Sequence, residues 1–145
     1  PPPRKAPVRA AAAMQPETQT ILLATAWRIA AEADLALTFD KAAPPPAQIE
    51  LALQALKKAD ESQKTYVGAH DATVLKGRIL LRLVELYVNS KDLDSARKSY
   101  AEALAQFRRI PLSSPHAAYG KQVLSQLKSS PDFLNPLQKS DNSLP

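Results

Sequence analysis

The strongest constraint in this sequence is the spacing of its apolar residues, which recur every three to four positions in five stretches. That spacing is typical of helices that bury one side. Alanine and leucine, which dominate the middle of the chain, are strong helix formers. The chain has only three glycines, and tight sheet turns usually need glycine. The sequence therefore predicts an all-α fold of about five helices.

Proline and capping residues set the predicted helix boundaries. Pro16 and Glu17 suit a first helical turn, and the prolines at 44–46 end that helix. Ser114 suits the N-cap of the last helix, with Pro115 at its first position. The predicted helices are Glu17–Phe39, Pro46–Lys64, Asp71–Ser90, Asp94–Arg109 and Pro115–Lys128. The first of them has a broad apolar face: Ile21, Leu22, Ala24, Ala26, Trp27, Ala30, Ala31, Leu35 and Leu37.

Proline also divides the chain into a helical domain, residues 17–128, and two arms. Residues 1–16 contain five prolines, three bases and no acid, which favours extended polyproline geometry. Residues 129–145 form an irregular, proline-containing C-terminal tail. The N-terminal arm resembles the end of an organelle transit peptide, and the sequence at 8–11 resembles a chloroplast processing site. We therefore expect an organellar protein, in a chloroplast rather than a mitochondrion.

Residues 80–107 carry the large and small side chains of two closely packed antiparallel helices. The matching positions are Leu80, Leu83, Tyr87, Asp92, Leu93, Ala96, Tyr100 and Ala103. This segment resembles a tetratricopeptide repeat, a unit of about 34 residues. Three positions depart from the family pattern: Val84 and Lys91 replace small or glycine residues, and Arg108 replaces a proline.

A second, weaker match lies upstream of this segment. It uses Leu35, Ala36, Phe39, Ala52, Leu56 and Ala59. The corresponding alanines, Ala52 and Ala96, lie 44 residues apart, so the spacing between the two units is irregular. The resemblance implies tetratricopeptide-like helical hairpins, and a small helical bundle remains the alternative.

The resemblance also implies a set of partner-binding residues. Carried over position by position, the groove-facing residues of the third helix are Arg78, Leu81, Glu85, Val88 and Asn89. The basic residues of the N-terminal arm complete the candidate set, and these are Arg4, Lys5 and Arg9. An ordinary solvated helix face is the alternative interpretation of the third helix.

Few residues in the chain suit catalysis or metal binding. The absence of cysteine excludes disulfides, thiolate metal sites and cysteine nucleophiles. His70 and His116 lie in predicted connections with no second ligand at metal-binding spacing. The sequence has no glycine-rich phosphate loop and no nucleophile elbow. Trp27 fits a core position better than a stacking platform. We therefore expect no enzymatic activity and no cofactor.

Basic residues are concentrated in the second half of the helical domain. Residues 67–128 contain ten bases and five acids, and helix capping and solubility explain much of that excess. Interleaved exposed aromatic residues are missing, which argues against nucleic acid as the partner. No apolar run reaches the length of a transmembrane segment.

These features predict a non-catalytic interaction or scaffold subunit of a larger organellar complex, with other protein subunits as its partners. One alternative is an extrinsic helical subunit, peripherally associated with a photosynthetic or respiratory membrane complex. In general character the chain is similar to the small lumenal extrinsic proteins of photosystem II. The other alternative is a ribosome-associated protein that contacts RNA.

Overall fold

A computed structural model describes residues 15–68 and 70–129, and all regular secondary structure in these two ranges is helical. The helices are α1 (Pro16–Leu37), α2 (Pro45–Thr65), α3 (Asp71–Asn89), α4 (Leu93–Arg108) and α5 (Ala117–Ser129). The prediction of an all-α fold with five helices is confirmed for this part of the chain.

The two predicted arms lie almost wholly outside the described residues, so their extended geometry stays a prediction. Two of their terminal residues fall inside helices instead: Pro16 begins α1 and Ser129 ends α5. The candidate residues Arg4, Lys5 and Arg9 also lie outside the described residues.

The start of the last helix differs from its prediction because the chain forms a turn first. The Ser114 side-chain oxygen accepts a hydrogen bond from the His116 backbone N–H at 3.1 Å. The Ser114 carbonyl accepts another from the Ala117 N–H at 3.1 Å. A serine that bonds the backbone two residues on favours a turn over a helix interior. α5 therefore begins at Ala117 rather than at Pro115.

α1 and α2 form an antiparallel hairpin that packs through small residues. The residues that these helices bury are Ala24, Ala31, Leu35, Ala52, Ala55, Ala59 and Ser62. Ser62, in the last turn of α2, donates its hydroxyl to the Ala24 carbonyl near the start of α1 at 2.6 Å. Lys58 and Asp34 form an ion pair across the same hairpin at 2.6 Å. We call this packing the alanine seam.

The alanine seam uses only part of the apolar face that the sequence gives to the first helix. α1 buries Ala24, Ala31 and Leu35, whereas Leu22 and Leu37 are each 53% exposed. The predicted face is wider than the surface that α2 and α3 cover, so an apolar stripe of α1 stays in contact with solvent.

α3 and α4 form the second hairpin, which packs through large side chains. Leu83, Tyr100 and Phe107 are almost fully buried, and Ala96 and Ala103 are completely buried. Burial raises the pKa of Tyr100 above its ordinary value. One close approach depends on Gly77. A Cβ atom at that position would lie 2.6 Å from the Phe107 ring, so a larger residue would displace the ring.

The turn between α3 and α4 has a left-handed residue, Lys91, with φ of 63°. The Lys91 N–H donates to the Val88 carbonyl at 3.0 Å, and the Asp92 N–H donates to the Tyr87 carbonyl at 2.9 Å. These two bonds define a Schellman C-cap, which usually has glycine at the left-handed position. Asp92 then caps α4, since its side chain accepts a hydrogen bond from the Ser95 N–H at 3.2 Å.

α3 lies at the centre of the helix array. One face of α3 joins the core with α1 and α2, in which Leu75, Ile79 and Leu83 are buried. Val84 joins the second core, which α4 and α5 complete with Tyr100, Phe107, Val123 and Leu127 among its members. None of the described helices is both long enough and apolar enough to cross a membrane.

Candidate protein-binding groove

A groove of about 620 Å³ lies between α1 and α3. Its lining residues are Glu32, Leu35, Ala36 and Phe39 from α1 and the turn that follows, and Arg78, Leu81, Arg82 and Glu85 from α3. We call it the α1–α3 groove. Apolar residues make up half of the lining, and charged residues make up the other half. The set holds no serine, cysteine, histidine or tyrosine that could act as a nucleophile or proton carrier.

Arg82 of α3 fixes the end of α1 and so defines one end of the groove. Its Nη2 donates to the Thr38 carbonyl at 2.8 Å, and its Nε donates to the Thr38 hydroxyl at 3.1 Å. The Thr38 hydroxyl in turn donates to the Leu35 carbonyl at 2.6 Å. Thr38 is completely buried, so leaving its carbonyl without a hydrogen bond would destabilise the fold. α1 therefore ends at Leu37 because a side chain of α3 caps it there.

The same guanidinium holds Phe39 in place. The Arg82 Cζ atom lies 3.9 Å from the centroid of the Phe39 ring, which is a stacking distance for a cation on an aromatic face. The Phe39 side chain is nevertheless 58% exposed. An aromatic ring thus stands at the mouth of the groove, oriented by an arginine that is itself mostly buried.

The charges of the groove leave one cation without an internal partner. Glu32 pairs with Arg28 at 3.1 Å, and Glu85 pairs with Arg82 at 2.8 Å. Arg78 is exposed and makes no hydrogen bond or ion pair with any residue in the described ranges. An apolar floor beside an unpaired guanidinium can bind an apolar segment that also carries a carboxylate.

The structure brings three of the five candidate residues of α3 into the groove. Arg78 and Glu85 stand on its wall, and half-buried Leu81 forms part of its floor. Val88 is half-buried and packs against the core that α4 and α5 share. Asn89 is the exposed last residue of α3. Whether any of these residues binds a partner stays a prediction.

Sequence reasoning did not include two residues that shape the groove, Phe39 and Arg82. Phe39 was assigned only to the end of the first helix and to the weak upstream repeat match. Arg82 was counted only within the basic excess of the second half. The contact between them spans 43 positions, and no local pattern predicts it. The local signal that exists is the spacing of Arg82 and Glu85, which suits an ion pair on one helix face.

A second cavity, of about 410 Å³, brings together the two histidines that the sequence analysis treated separately. His70, Asp71, Ser113 and His116 are among its lining residues. The His116 Nε2 atom lies 2.5 Å from an Asp71 carboxylate oxygen. This contact ties the turn before α5 to the first residue of α3. Across residues 15–68 and 70–129, no group of three or more histidine, aspartate or glutamate side chains is arranged to hold a metal ion.

Comparison with known proteins gives no relative from which a role could be transferred. The chain matches no protein-family model, no curated protein and no solved structure. The function is therefore argued from the groove.

Proposed function

We propose that this protein is a non-catalytic interaction subunit that binds a segment of another protein in the α1–α3 groove. The observation that carries the proposal is the pairing pattern of the groove. Both acids pair with arginines, Arg78 has no partner among residues 15–68 and 70–129, and the floor beside it is apolar. A groove whose only unmatched charge is a guanidinium favours a partner with an acidic residue beside apolar ones.

The shape of the groove favours a helical partner. Two helices that run side by side leave a furrow that an amphipathic third helix fills with residues at i, i+3, i+4 and i+7. Phe39 and Leu81 would contact the apolar stripe of such a helix, and Arg78 would contact a carboxylate at its edge. Arg82 would stay with Thr38, because withdrawing it would leave a buried carbonyl unpaired.

Two features support the further proposal that the hairpins are tetratricopeptide-like. The large and small residues of the matched segment are buried, with Leu83 and Ala103 in one core and Tyr100 and Ala96 in the other. Lys91 adopts a left-handed conformation where the family usually has a turn glycine. Irregular spacing between the two hairpins is equally expected of a small bundle, so the groove proposal does not depend on this assignment.

The finer alternatives from the sequence stay proposals. Organellar location rests on the N-terminal arm, and membership of a photosynthetic or respiratory complex rests on the general character of the chain. Binding of RNA would draw on the basic excess of the second half. Three of those bases are already engaged within the chain: Lys76 bonds Asp60 and Gln63, Arg82 bonds Thr38 and Glu85, and Arg97 bonds Asp94. Their engagement favours a protein partner over RNA.

The test is a native purification of the tagged full chain from its source, with quantitative mass spectrometry of the proteins that come with it. The Arg78→Glu variant reverses the sign of the unpaired charge. Lys98→Glu, at an exposed position of α4, is the matched control. We expect the control to retain a stoichiometric partner and Arg78→Glu to lose it by about tenfold, which corresponds to about 1.4 kcal/mol. Equal retention by both variants, or a chain that purifies alone, would contradict the proposal.

A further inference from the structure

The outer side of α1 carries an apolar surface that the residues of the described ranges leave mostly uncovered, since only Ala30 among its members is half-buried. Its members are Leu22, Ala26, Ile29, Ala30, Ala33 and Leu37, which we call the outer stripe. Ile29 is 56% exposed, and Leu22 and Leu37 are almost as exposed. At about 100° per residue these six positions occupy one side of the helix. Ala24 and Ala31, which face the core, occupy the opposite side.

An exposed apolar face at the end of a helix array is unusual in a soluble protein. Terminal helices of stacked hairpins normally present polar residues to water, and contiguous exposed apolar patches mark interaction sites. The outer stripe has no charged member. It also shares no residue with the lining of the α1–α3 groove, so it is a separate candidate binding surface.

The order of these six residues is nearly palindromic, and the exception beside them is exposed Leu23, whose counterpart is Ala36. Counted outward from the middle of the stripe, Ile29 is matched by Ala30, Ala26 by Ala33, and Leu22 by Leu37. A twofold interface requires this kind of self-complementarity, in which residue i meets j and j meets i. In an antiparallel pair of α1 helices, Leu22 would meet the partner subunit's Leu37, and Ala26 would meet the partner subunit's Ala33.

Side-chain size along the stripe also fits a pair of helices. The alanines at 26, 30 and 33 surround the centre, where they let two helix axes approach to about 8 Å. The leucines at the two ends would enclose this close contact. Ile29 is the one large residue near the centre, and it would lie against the partner subunit's Ala30.

The charged residues of α1 nearest in sequence to the middle of the stripe point away from it. Arg28 and Glu32 pair with each other at 3.1 Å, and at about 100° per residue both lie more than about 90° from the middle of the stripe. They neither oppose nor select the contact, and the antiparallel arrangement rests on the near-palindromic order of the stripe.

We propose that the outer stripe binds a second copy of this chain, through an antiparallel contact between the two α1 helices. The size of the stripe sets the expected strength. α1 has 22 residues, and a helix of that length is about 33 Å long and about 10–12 Å across. The contact would cover on the order of 800 Å² in total, below the size of stable interfaces. The dimer is therefore transient, with a dissociation constant in the micromolar range or weaker.

Sedimentation equilibrium of the full chain from about 5 to about 500 µM tests the dimer directly. We expect a reversible monomer–dimer equilibrium that Ile29→Arg weakens by at least about tenfold, because two guanidinium groups would meet at the centre. Ile29 and Leu112 are both exposed, so Ile29→Arg and its control, Leu112→Arg, should both fold. The control should leave the equilibrium unchanged. A chain that stays monomeric throughout, or a dimer indifferent to Ile29→Arg, would overturn the proposal.

The orientation is tested by cross-linking, since the chain has no cysteine of its own. In the antiparallel dimer a disulfide should form between Ala26→Cys and Ala33→Cys chains that are mixed. It should not form in either variant alone, where the two sulfurs would be about 10 Å apart along the axis. Cross-linking of Ala26→Cys with itself would indicate a parallel pair and contradict the assignment. These readouts leave the α1–α3 groove unaltered, so their failure is distinguishable from failure of the proposed function.

Discussion

The two hairpins of this protein are alike in topology and opposite in packing. α1 and α2 meet through the alanine seam, which is supplemented by the bond from Ser62 to Ala24 and the ion pair of Lys58 with Asp34. α3 and α4 meet through large side chains, of which Tyr100 and Phe107 are the largest. Burial of apolar area stabilises a fold by about 25 cal/mol per Å². Most of the large buried side chains belong to α3 and α4, so these two helices contribute most of the stabilising apolar burial.

The difference between the hairpins separates stability from binding. Apart from Leu35, the alanine seam leaves the larger residues of α1 largely outside the core. α1 and the turn after it therefore supply two exposed apolar features, the outer stripe and Phe39 at the mouth of the groove. α3 and α4 supply the rigid body that holds them, with Arg82 as the link. The comparison predicts that core substitutions in the second hairpin cost more stability than substitutions in the first.

The largest expected effect comes from Phe107→Ala in the second hairpin. Removal of this buried ring leaves a cavity beside Gly77 and should lower the free energy of unfolding by about 3–5 kcal/mol. Ala52→Gly in the first hairpin removes one completely buried methyl group and should cost only about 1 kcal/mol. Urea unfolding followed by circular dichroism measures both. Similar losses in the two variants would break the comparison.

Overpacking of the alanine seam should have the next largest effect. Ala55 is completely buried between α1 and α2, so Ala55→Leu would push the helices apart at a cost of about 1–3 kcal/mol. Ala101→Leu, on the exposed side of α4, is the control and should change stability by less than about 0.5 kcal/mol. If Ala55→Leu were tolerated as well as its control, the seam would be looser than the buried alanines indicate.

A smaller change of opposite sign is expected in the turn of the second hairpin. Lys91 adopts a left-handed conformation, which costs a non-glycine residue about 1–2 kcal/mol. Glycine avoids most of this cost, so Lys91→Gly should raise the free energy of unfolding by about 0.5–1 kcal/mol. The same change within α4, Lys98→Gly, should lower it by about 1 kcal/mol. The paired variants should move the urea midpoint in opposite directions.

The smallest effect concerns the polar contacts where α2 meets α3. Hydrogen bonds from Lys64 and Lys76 hold the pKa of Asp60 below its ordinary value. A lowered folded-state pKa gives stability that is present above the unfolded pKa of about 3.9 and is lost as the pH falls through the folded value. Asp60 is more than a third exposed, so solvent screening limits the effect to a few tenths of a kcal/mol. Asp60→Asn should flatten the decline of stability between about pH 5 and pH 2. A decline of unchanged slope would contradict this assignment.

The fold of the described residues could be predicted from local signals, whereas the groove could not. Apolar spacing and proline placement predicted the five helices, and the apolar pattern of α4 included Ala96 and Tyr100, which lie in the second core. The hydrogen bonds from Arg82 to Thr38 cross 44 positions. Such a contact depends on how α1 stacks on α3, which periodicity does not specify. The sequence also predicts the apolar face of α1, but how much of that face α2 and α3 cover depends on the same stacking.

The resemblance of residues 80–107 to a tetratricopeptide repeat placed Arg78, Leu81 and Glu85 on one face of the third helix. The structure adds the opposing wall, which comes from the helix with the weaker match. The positions Val88 and Asn89 lie beyond the reach of that wall, since α1 ends at Leu37. A single repeat pattern therefore predicted the residues of one wall better than it predicted the length of the groove.

The central claim, that the α1–α3 groove binds another protein, is tested most directly by site-specific photocross-linking in the native source. Glu85 lies on the groove wall, and Lys98 lies on α4 away from the groove. A photoreactive amino acid replaces each of these residues in turn. Both positions are exposed, so both proteins should fold. The account predicts one discrete cross-linked partner from position 85 that is absent from position 98 and is lost in the Arg78→Glu background. Identical cross-linking from the two positions, or none from position 85, would contradict it.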